Sequence, residues 1–317
     1  MNAPLILPIV CTALNPAIDK RLHLPKLTIG EVHRVAHMEA TAGGKGLNVA
    51  RVARALEAPV IASGFIGGKN GEWIREELTQ AGIEQQWTAI AGETRTCLNL
   101  IDDSNGSSTE VLESGPPISQ EESAAFVSLW RALCVPGRWM TLSGSLPRGL
   151  SPSFYSQLIE IARSKGASVV LDTSGVPLEK GVEAGPHTIK PNEQEFRQWT
   201  NSDPRDEKAM LGLAKELSSY GVKTIIVSLG REGCIAATAD GRLLRAKAPV
   251  IHAINAVGSG DAFVAGWTVA CARGMEMSDA LRYASAAGAS NAMSSGTGVI
   301  DPSLIPALAA EVQLTHS

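Results

Sequence analysis

The sequence contains no apolar run as long as the roughly 18–20 residues of a membrane-spanning helix. Its 317 residues carry 28 basic and 32 acidic side chains. The chain therefore lacks the excess of positive charge that is typical of proteins that bind nucleic acid or a membrane surface. The apolar stretch near the N-terminus lacks a preceding Lys or Arg and is interrupted by Pro8, which argues against a secretory signal. The five cysteines include no CxxC pair, so we expect reduced thiols and a cytoplasmic location.

The residue patterns of three common chemistries are also missing. Of the six histidines only His33 and His37 lie close in sequence, and they fall on a segment expected to form strand or turn, not on a helix that would present both rings to zinc. No Cys and His motif supports a thiol nucleophile, and buried core thiols explain the cysteines better. The six tryptophans are not interleaved with basic residues, which argues against a stacking platform for nucleic acid.

Short apolar segments alternate with amphipathic or Ala-rich segments along the chain. Segments with the length and composition of buried strands are Ile6–Thr12, Val60–Gly64, Trp139–Ser143, Ser168–Asp172, His187–Lys190 and Thr224–Ser228. Helices are predicted at Leu47–Leu56, Gly71–Ala81, Pro152–Lys165, Asp206–Tyr220 and Ala262–Arg273. This alternation predicts an α/β fold with right-handed βαβ units and a mainly parallel sheet. Ligands of such a sheet bind beyond the carboxyl ends of its strands.

Two segments break the alternation. Asp19–Met38 alternates loosely between apolar and polar residues and has no helical period. Cys97–Glu113 has two alternating runs around an Asn-Gly turn, which is a strong hairpin signal. One interpretation is a pair of separate surface hairpins. The other is a small β lid over the ligand site, with an exposed sheet edge available to a partner subunit.

The segment NAVGSGDAFVAG, Asn255–Gly266, has the features of an anion site. Gly258 and Gly260 let backbone N–H groups converge on an anion, and the helix that follows directs its positive end at the same point. Asp261 then lies in the first helical turn, where a carboxylate can serve as helix cap or as general base. The segment is not a dinucleotide fingerprint, because Phe263 occupies the place of the third glycine.

The segment TAGGKGLNVARVA, Thr41–Ala53, is a glycine-rich turn that enters a helix. It is not a P-loop, because Gly46 follows the lysine where Ser or Thr is required. The glycines can still admit a ligand against the backbone, with Lys45 and Asn48 as its polar contacts. An ordinary turn before a helix is the alternative interpretation.

Three further turns follow predicted strands. They are LSGSLPRG with Ser143, Gly144 and Ser145, TIKPNEQE with Lys190, Asn192 and Glu195, and VSLGREG with Ser228 and Gly230. Each alone is an ordinary connection between a strand and a loop. Together with the two glycine-rich segments they predict one crevice at the carboxyl edge of the sheet.

In this combination and order, the segments resemble the ribokinase-like (PfkB) family of carbohydrate kinases. The two diagnostic regions are Ala42–Gly68 and Val257–Trp267, with support from TALNPAIDK, SGSLP, IKPNEQE and VSLGREG. The closest similarity is to the branch of 1-phosphofructokinase and tagatose-6-phosphate kinase. That similarity is carried by LNPAID, GEVHRV, AGGKGLNVARV and TEVLESGPPIS.

The resemblance implies a three-layer α/β/α fold with a small β-sheet lid. It implies a single kinase domain over residues 1–317, whose lid is formed by about 13–40 and 94–113. The implied reaction is ATP-dependent phosphorylation of fructose 1-phosphate or tagatose 6-phosphate to the bisphosphate, with Mg²⁺ as cofactor and a homodimer formed through the lid. The alternatives are a kinase of an unphosphorylated sugar or a nucleoside, and a catalytically silent sugar-phosphate sensor.

The resemblance also assigns roles to residues. Asp261 would be the general base, beside an anion hole made by Gly258, Ser259 and Gly260. The phosphosugar would be bound by Asp19, Gly43, Gly44, Lys45, Asn48, Arg95 and Ser143. ATP would be bound by Lys190, Asn192, Ser228, Gly230, Gly258, Ser285 and Ala289, and Glu195 would help to hold Mg²⁺.

The sequence departs from the family pattern at two places. Asn255 and Ala256 stand where many members have Asp-Thr, which puts a monovalent-cation site built from that Asp in doubt. Glu31 stands where some 6-phosphofructokinases of the family have a lid lysine. An acidic residue there speaks against the substrate geometry of those enzymes and leaves Lys45 as the better candidate for binding a sugar phosphate.

Overall fold

The first strand of the chain, Ile9–Ala13, is buried along its whole length and lies within the main sheet. The computed structural model describes residues 6–35 and 37–316; Met1–Leu5, Ala36 and Ser317, which the predicted domain and lid ranges include, lie outside it. The strands are β1 (Ile9–Ala13), β2 (Ala17–Leu24), β3 (Met38–Gly43), β4 (Val60–Ile66), β5 (Glu84–Ala89), β6 (Arg95–Asp102), β7 (Ser107–Leu112), β8 (Trp139–Ser143), β9 (Ser168–Asp172), β10 (Thr188–Ile189), β11 (Thr224–Ser228), β12 (Cys234–Thr238), β13 (Leu243–Lys247) and β14 (Gln313–His316). The helices are α1 (Lys45–Ala55), α2 (Gly68–Gln80), α3 (Gln120–Leu133), α4 (Phe154–Ser164), α5 (Val176–Glu183), α6 (Glu193–Thr200), α7 (Glu207–Ser218), α8 (Ser259–Ala272), α9 (Met277–Ala292) and α10 (Ile305–Glu311).

Ten strands form the main sheet, in the order β14-β13-β12-β11-β10-β9-β8-β1-β4-β5. The strands from β11 to β5 pair in parallel, and β12, β13 and β14 extend one edge in antiparallel register. The prediction of an α/β fold with a mainly parallel sheet is therefore confirmed. Strand β5 and the antiparallel strands fall in segments for which no strand was predicted. In β12 the cause is its Ala-rich sequence, CIAAT, which carries little β preference.

Alternate side chains of the central strands enter two separate cores, one on each face of the sheet. In β1, Ile9 and Cys11 pack into one core and Val10 into the other, as the two-residue period of a strand requires. Helices α1, α2, α8, α9 and α10 cover the first face, whereas α3 to α7 cover the second. The molecule is thus a three-layer α/β/α structure.

Four strands form a separate small sheet, in the order β3-β2-β6-β7. Strand β2 pairs antiparallel with β3 and parallel with β6, and β6 pairs antiparallel with β7 around the Asn-Gly turn. The parallel pairing of β2 with β6 joins the two segments that break the α/β alternation. They are therefore one sheet, and the interpretation as separate hairpins is wrong.

The helices that follow glycine-rich turns begin earlier than predicted. Helix α1 begins at Lys45 and α8 at Ser259, because the last residues of each glycine-rich segment already have helical backbone. Helices α3, α5, α6 and α10 lie in segments for which no helix was predicted. In the described part of the chain, no helix combines the length and the apolar character needed to cross a membrane.

Candidate active site

A cavity of about 1230 Å³ lies between the small sheet and the carboxyl ends of the parallel strands. Its lining includes every residue to which the sequence assigned a role except Gly43: Asp19, Gly44, Lys45, Asn48, Arg95, Ser143, Lys190, Asn192, Glu195, Ser228, Gly230, Gly258, Ser259, Gly260, Asp261, Ser285 and Ala289. Residues that are far apart in the sequence therefore share one crevice, at the edge of the sheet where it was predicted.

Asp261 lies in the first turn of α8 and is 5% exposed. Its Oδ2 atom accepts a hydrogen bond from Nδ2 of Asn48 at 2.7 Å. Burial raises the pKa of Asp261 to about 6, while Lys45, the Asn48 hydrogen bond and Lys190 oppose that rise. Asp172 adds to the rise by repulsion. A carboxylate with this pKa is largely ionised at neutral pH and binds a proton readily, as a general base requires.

The turn before α8 depends on its glycines. Gly258 has φ 84°, and a Cβ atom there would lie 2.8 Å from Cγ2 of Thr297. At Gly260 the nearest atom to a Cβ would be Nζ of Lys190, at 3.7 Å. The Ser259 N–H bonds to the Ala256 carbonyl at 3.2 Å. The N–H groups of Gly260 and Asp261 lie in the first helical turn, which has no intrahelical acceptor for them, so they are suited to an anion.

Asp172 was missed by the sequence analysis, although the strand that it ends was predicted. It is 1% exposed, with Oδ1 3.1 Å from Nζ of Lys190 and Oδ2 3.7 Å from Nζ of Lys45. Burial alone would raise the pKa of Asp172, but Lys190 and Lys45 together hold it below its usual value. The available signal was an acidic residue at the carboxyl end of a buried parallel strand, where ligands of such sheets bind.

Lys45 is the more exposed of the two cations beside Asp172. Its side chain is 43% exposed, and attraction to Asp172 raises its pKa. It is the first residue of α1 and follows Gly44, whose φ of 92° few other residues tolerate. Lys45 is therefore positioned to bind an anion in the cavity, whereas Lys190 is buried.

At the small-sheet end of the cavity, Asp19 of β2 accepts a hydrogen bond from the Gly44 N–H at 3.3 Å. Burial raises its pKa, and the Gly44 hydrogen bond opposes that rise. Gly43 does not line the cavity, but a Cβ atom at that position would overlap the Asp19 carboxylate. Gly43 therefore leaves space for the Asp19 carboxylate and does not itself line the cavity as predicted.

Arg95 is partly engaged by the backbone. Its Nε and Nη2 atoms donate to the Asn15 carbonyl at 3.2 and 2.9 Å, and its Nη1 atom donates to the Glu113 carbonyl at 2.8 Å. A guanidinium has five N–H groups, so two remain for a ligand. In contrast, the buried Oγ atom of Ser143 has no hydrogen-bond partner in the described residues and lines the cavity.

Asn192 and Glu195 form a capping box at the start of α6. Asn192 Oδ1 accepts from the Glu195 N–H, and Glu195 Oε2 accepts from the Asn192 N–H, both at 2.8 Å. One oxygen of the predicted metal ligand is therefore occupied in capping the helix. Among the described residues no group of three His, Cys, Asp or Glu side chains could hold a metal alone. Glu195 lines the cavity and has a second carboxylate oxygen outside the capping box, so it fits Mg²⁺, which can bind to one carboxylate together with substrate phosphates and water.

Comparison with known proteins identifies the family. The sequence model described as pfkB family carbohydrate kinase matches residues 10–304. The chain belongs to the pfkB family of carbohydrate kinases. The resemblance noted from the sequence is thus confirmed, and the protein is a sugar kinase of this family.

Solved structures share its fold over nearly the whole chain. A Staphylococcus aureus protein assigned provisionally as a phosphofructokinase is 26% identical, with a TM-score of 0.85 and coverage of 98% of this chain and 99% of that one. Escherichia coli phosphofructokinase-2, in complex with substrates and products, is 24% identical, with a TM-score of 0.89 and coverage of 96% and 99%. A possible 1-phosphofructokinase from Thermotoga maritima is 22% identical, with a TM-score of 0.84 and coverage of 98% and 100%. The last two show that the ribokinase-like fold predicted from the sequence is correct.

Proposed function

We propose that this pfkB family kinase transfers a phosphoryl group from ATP to a ketohexose monophosphate, either fructose 1-phosphate or tagatose 6-phosphate. The observation that carries the proposal is the position of Asp261. A buried carboxylate with a pKa of about 6 lies in the helical turn whose N–H groups suit an anion, in a cavity that also holds Lys45. Base, anion hole and cation are the parts that phosphoryl transfer to a charged sugar requires.

In this mechanism Asp261 accepts the proton of the attacking sugar hydroxyl. Asn48 occupies Oδ2 of Asp261, which leaves Oδ1 as the atom for that proton. The N–H groups of Gly260 and Asp261, with Lys190 nearby, stabilise negative charge on the transferred phosphoryl group. Asp172 holds Lys190 and Lys45 in place, and Lys45 binds the phosphate that the sugar already carries.

The remaining predicted contacts divide between the two ends of the cavity. Asp19 accepts sugar hydroxyls, assisted by Ser143 and Arg95. ATP lies along Lys190, Asn192, Ser228 and Gly230, with its adenine against Ser285 and Ala289, which are one helical turn apart on α9. Glu195 would help to hold Mg²⁺, which would screen phosphate charge.

The predicted domain organisation and dimer are part of the proposal. We regard residues 1–317 as one kinase domain whose small sheet acts as a lid. Met38 of β3 and Val111 and Leu112 of β7 are large apolar side chains that remain exposed on that sheet. A second copy that packs on the face with Met38 and Val111 would cover both, and light scattering should then report a homodimer that Val111→Glu weakens; Leu112 lies on the opposite face and lines the cavity. All five cysteines are free thiols, which supports the predicted cytoplasmic location.

A screen of ADP release tests the proposed substrate class. The protein is incubated with MgATP and fructose 1-phosphate, tagatose 6-phosphate, fructose 6-phosphate, fructose, ribose or adenosine, with the Asp261→Asn variant as a matched control. The proposal expects turnover with fructose 1-phosphate or tagatose 6-phosphate that the variant loses. Turnover only with free sugars or adenosine would replace it with the first alternative, and silence with every acceptor would favour a sugar-phosphate sensor.

A further inference from the structure

The guanidinium of Arg51, on α1, donates hydrogen bonds to three acceptors, which are two backbone carbonyls and one side-chain amide. Its Nη2 atom donates to Oδ1 of Asn48 at 2.6 Å and to the Thr297 carbonyl at 2.9 Å, and its Nη1 atom donates to the Ala42 carbonyl. Burial lowers the pKa of Arg51, and attraction to Asp19 and Asp261 only partly opposes this effect. A guanidinium that remains charged in such a place needs its acceptors, so these contacts are constraints on the local structure.

The contact with Asn48 determines which way the Asn48 amide faces. Oδ1 accepts from Arg51 and Nδ2 donates to Oδ2 of Asp261. If the amide turned over, its oxygen would face the Asp261 carboxylate and its NH₂ group would face a guanidinium that can only donate. Both contacts would then be repulsive. Arg51 therefore selects the orientation in which Asn48 donates to the carboxylate.

The hydrogen bond to the Thr297 carbonyl connects Arg51 to the loop that packs behind the glycine turn before α8. Thr297 and Gly298 pack against Gly258, where a Cβ atom would lie 2.9 Å from the Gly298 nitrogen. Asn291 fixes this packing, since it donates to the Val257 carbonyl at 2.9 Å and accepts from the Gly298 N–H at 2.9 Å. Arg51 thus joins the amide that holds Asp261 to the loop that supports the anion turn.

We propose that Arg51 is a positioning residue for phosphoryl transfer. It locks Asn48 in the orientation that holds the Asp261 carboxylate and ties that carboxylate to the loop behind Gly258. The inference rests on the proposed function, because it assumes that Asp261 is the base. Arg51 itself acts through Asn48 and the loop, and touches neither substrate.

The arrangement has a consequence that depends on pH. The charged groups around Asp261 are Lys45, Lys190 and Arg51, which favour its ionised form, and Asp172, which disfavours it. The Asn48 hydrogen bond also favours the ionised form. When Arg51 is lost, Asn48 can turn away or turn over, and the pKa of Asp261 rises further above its ordinary value. Less of the base is then ionised at a given pH.

The test compares Arg51→Met, Arg51→Lys, Asn48→Ala and the Arg51→Lys/Asn48→Ala double variant, which keeps a positive charge at position 51. Arg54→Met is the matched control, because Arg54 lies one turn away on the same helix and donates outward to the Gly82 carbonyl at 3.2 Å. kcat and KM are measured from pH 5.5 to 8.5 with the acceptor that the screen identifies. We expect Arg51→Met to lower kcat roughly 10-fold or more at neutral pH, with a greater loss at acid pH. Arg51→Lys should recover part of that loss, and Arg54→Met should match the wild type.

The double variant separates positioning from general support of the fold. If Arg51 acts through Asn48, the acid limb of kcat shifts no further in the double variant than in Asn48→Ala alone. Losses that multiply, or a loss equal at all pH values, would overturn the proposal. If Arg51→Met does not fold, the pH profile of Arg51→Lys carries the comparison.

A second readout needs no turnover. The pKa of Asp261 is obtained from the pH dependence of thermal stability, as the difference between each protein and its Asp261→Asn derivative. Arg51→Lys should raise that pKa relative to the wild type, and an unchanged value would contradict the proposal. Failure of the wild type to phosphorylate any acceptor would overturn the proposed function, while this measurement still decides whether Arg51 controls the carboxylate.

Discussion

The Nζ atom of Lys190 lies 3.1 Å from Oδ1 of Asp172, and both side chains are almost completely buried. The two residues lie at the ends of adjacent elements of the main sheet, β9 and β10, whose parallel pairing brings them together. Burial of a lysine is unfavourable unless a partner neutralises it, and Asp172 is that partner. The pair therefore connects the stability of the main sheet with the charge of the active site.

The first prediction concerns Asp172→Asn. The substitution keeps the shape of the side chain but removes the counter-charge that lies 3.1 Å from the buried Lys190 ammonium group. We expect the free energy of unfolding to fall by about 3–5 kcal/mol at pH 7, measured by urea denaturation, together with a higher KM for MgATP. Asp240→Asn is the control, since Asp240 pairs with Arg242 at the exposed surface and should matter far less. Equal effects of the two substitutions would contradict the importance of the buried pair.

The second prediction concerns the catalytic role of Asp261. Asp261→Ala should lower kcat by at least ~10²-fold with little change in the KM for the sugar phosphate, because it removes the base but not the sugar contacts. In the wild type, kcat should fall as the pH drops through about 6, since Asp261 must be ionised to accept a proton. Steady-state kinetics across pH measure both. A near-normal kcat in the variant would show that another group accepts the proton.

The third prediction is that the ionised Asp261 carboxylate lowers the free energy of unfolding. The folded state raises the pKa of Asp261 from 3.8 to about 6, so it binds this proton more tightly than the unfolded chain does. The ionised carboxylate therefore destabilises the fold above pH 6, and this penalty disappears as the pH falls towards 4. Asp261→Asn should raise the free energy of unfolding on the order of 3 kcal/mol at pH 7.5.

Thermal melts of the wild type and Asp261→Asn from pH 4.5 to 8 provide the measurement. The gain in Tm should be largest at neutral pH and should shrink on acidification. A variant that is less stable than the wild type at pH 7.5 would mean that the attraction of Lys45 and Lys190 outweighs the cost of burial.

The fourth prediction separates the two candidate ligands of the sugar phosphate. Lys45 has an exposed ammonium group in the cavity, whereas Arg95 already donates from three of its nitrogens to backbone carbonyls. Lys45→Ala should therefore raise the KM for the phosphosugar more than Arg95→Ala does, and the KM for MgATP should change less in both. Initial-rate kinetics with varied sugar phosphate measure the difference. The reverse order would place the phosphate at Arg95.

The fifth prediction concerns the space beside Asp19. A methyl group at Gly43 would displace the Asp19 carboxylate. Gly43→Ala should still fold, but its KM for the sugar should therefore be roughly 10-fold higher or more. Gly212→Ala is the matched control, because nothing lies within 4 Å of a Cβ atom at that position on α7. Should both variants bind the sugar as the wild type does, Asp19 would not be a sugar ligand.

Local motifs account for the parts of the site that could be predicted from the sequence. The glycine-rich segments before α1 and α8 indicate by themselves a tight turn that enters a helix. Lys45, Gly258 and Asp261 lie in these segments and were therefore found without knowledge of the fold. Every parallel strand except β5 was found, because buried strands in α/β units are continuously apolar, whereas β5 has the largely polar sequence EQQWTA. These features depend on neighbours in the sequence.

Features that depend on distant partners were not predictable in the same way. Asp172 belongs to the site because two lysines from other segments meet it, and its own segment contains no motif. Arg51 lies inside a recognised motif, but its role depends on the carbonyl of Thr297, near the other end of the chain. The antiparallel strands β12 to β14 are stabilised by pairing at the sheet edge, and their sequences carry weak strand signals.

The hydrogen bond between Asn48 and Asp261 joins residues that are 213 positions apart. A chain emerging from the ribosome therefore contains the glycine turn and the strands of the small sheet long before α8 has been made. Until α8 docks against α1, the growing chain has neither a base nor an anion turn opposite its sugar site. Under the proposed mechanism, a nascent or truncated chain that lacks α8 cannot consume nucleotide, and the phosphoryl-transfer centre arises only when the last third of the protein folds onto the first.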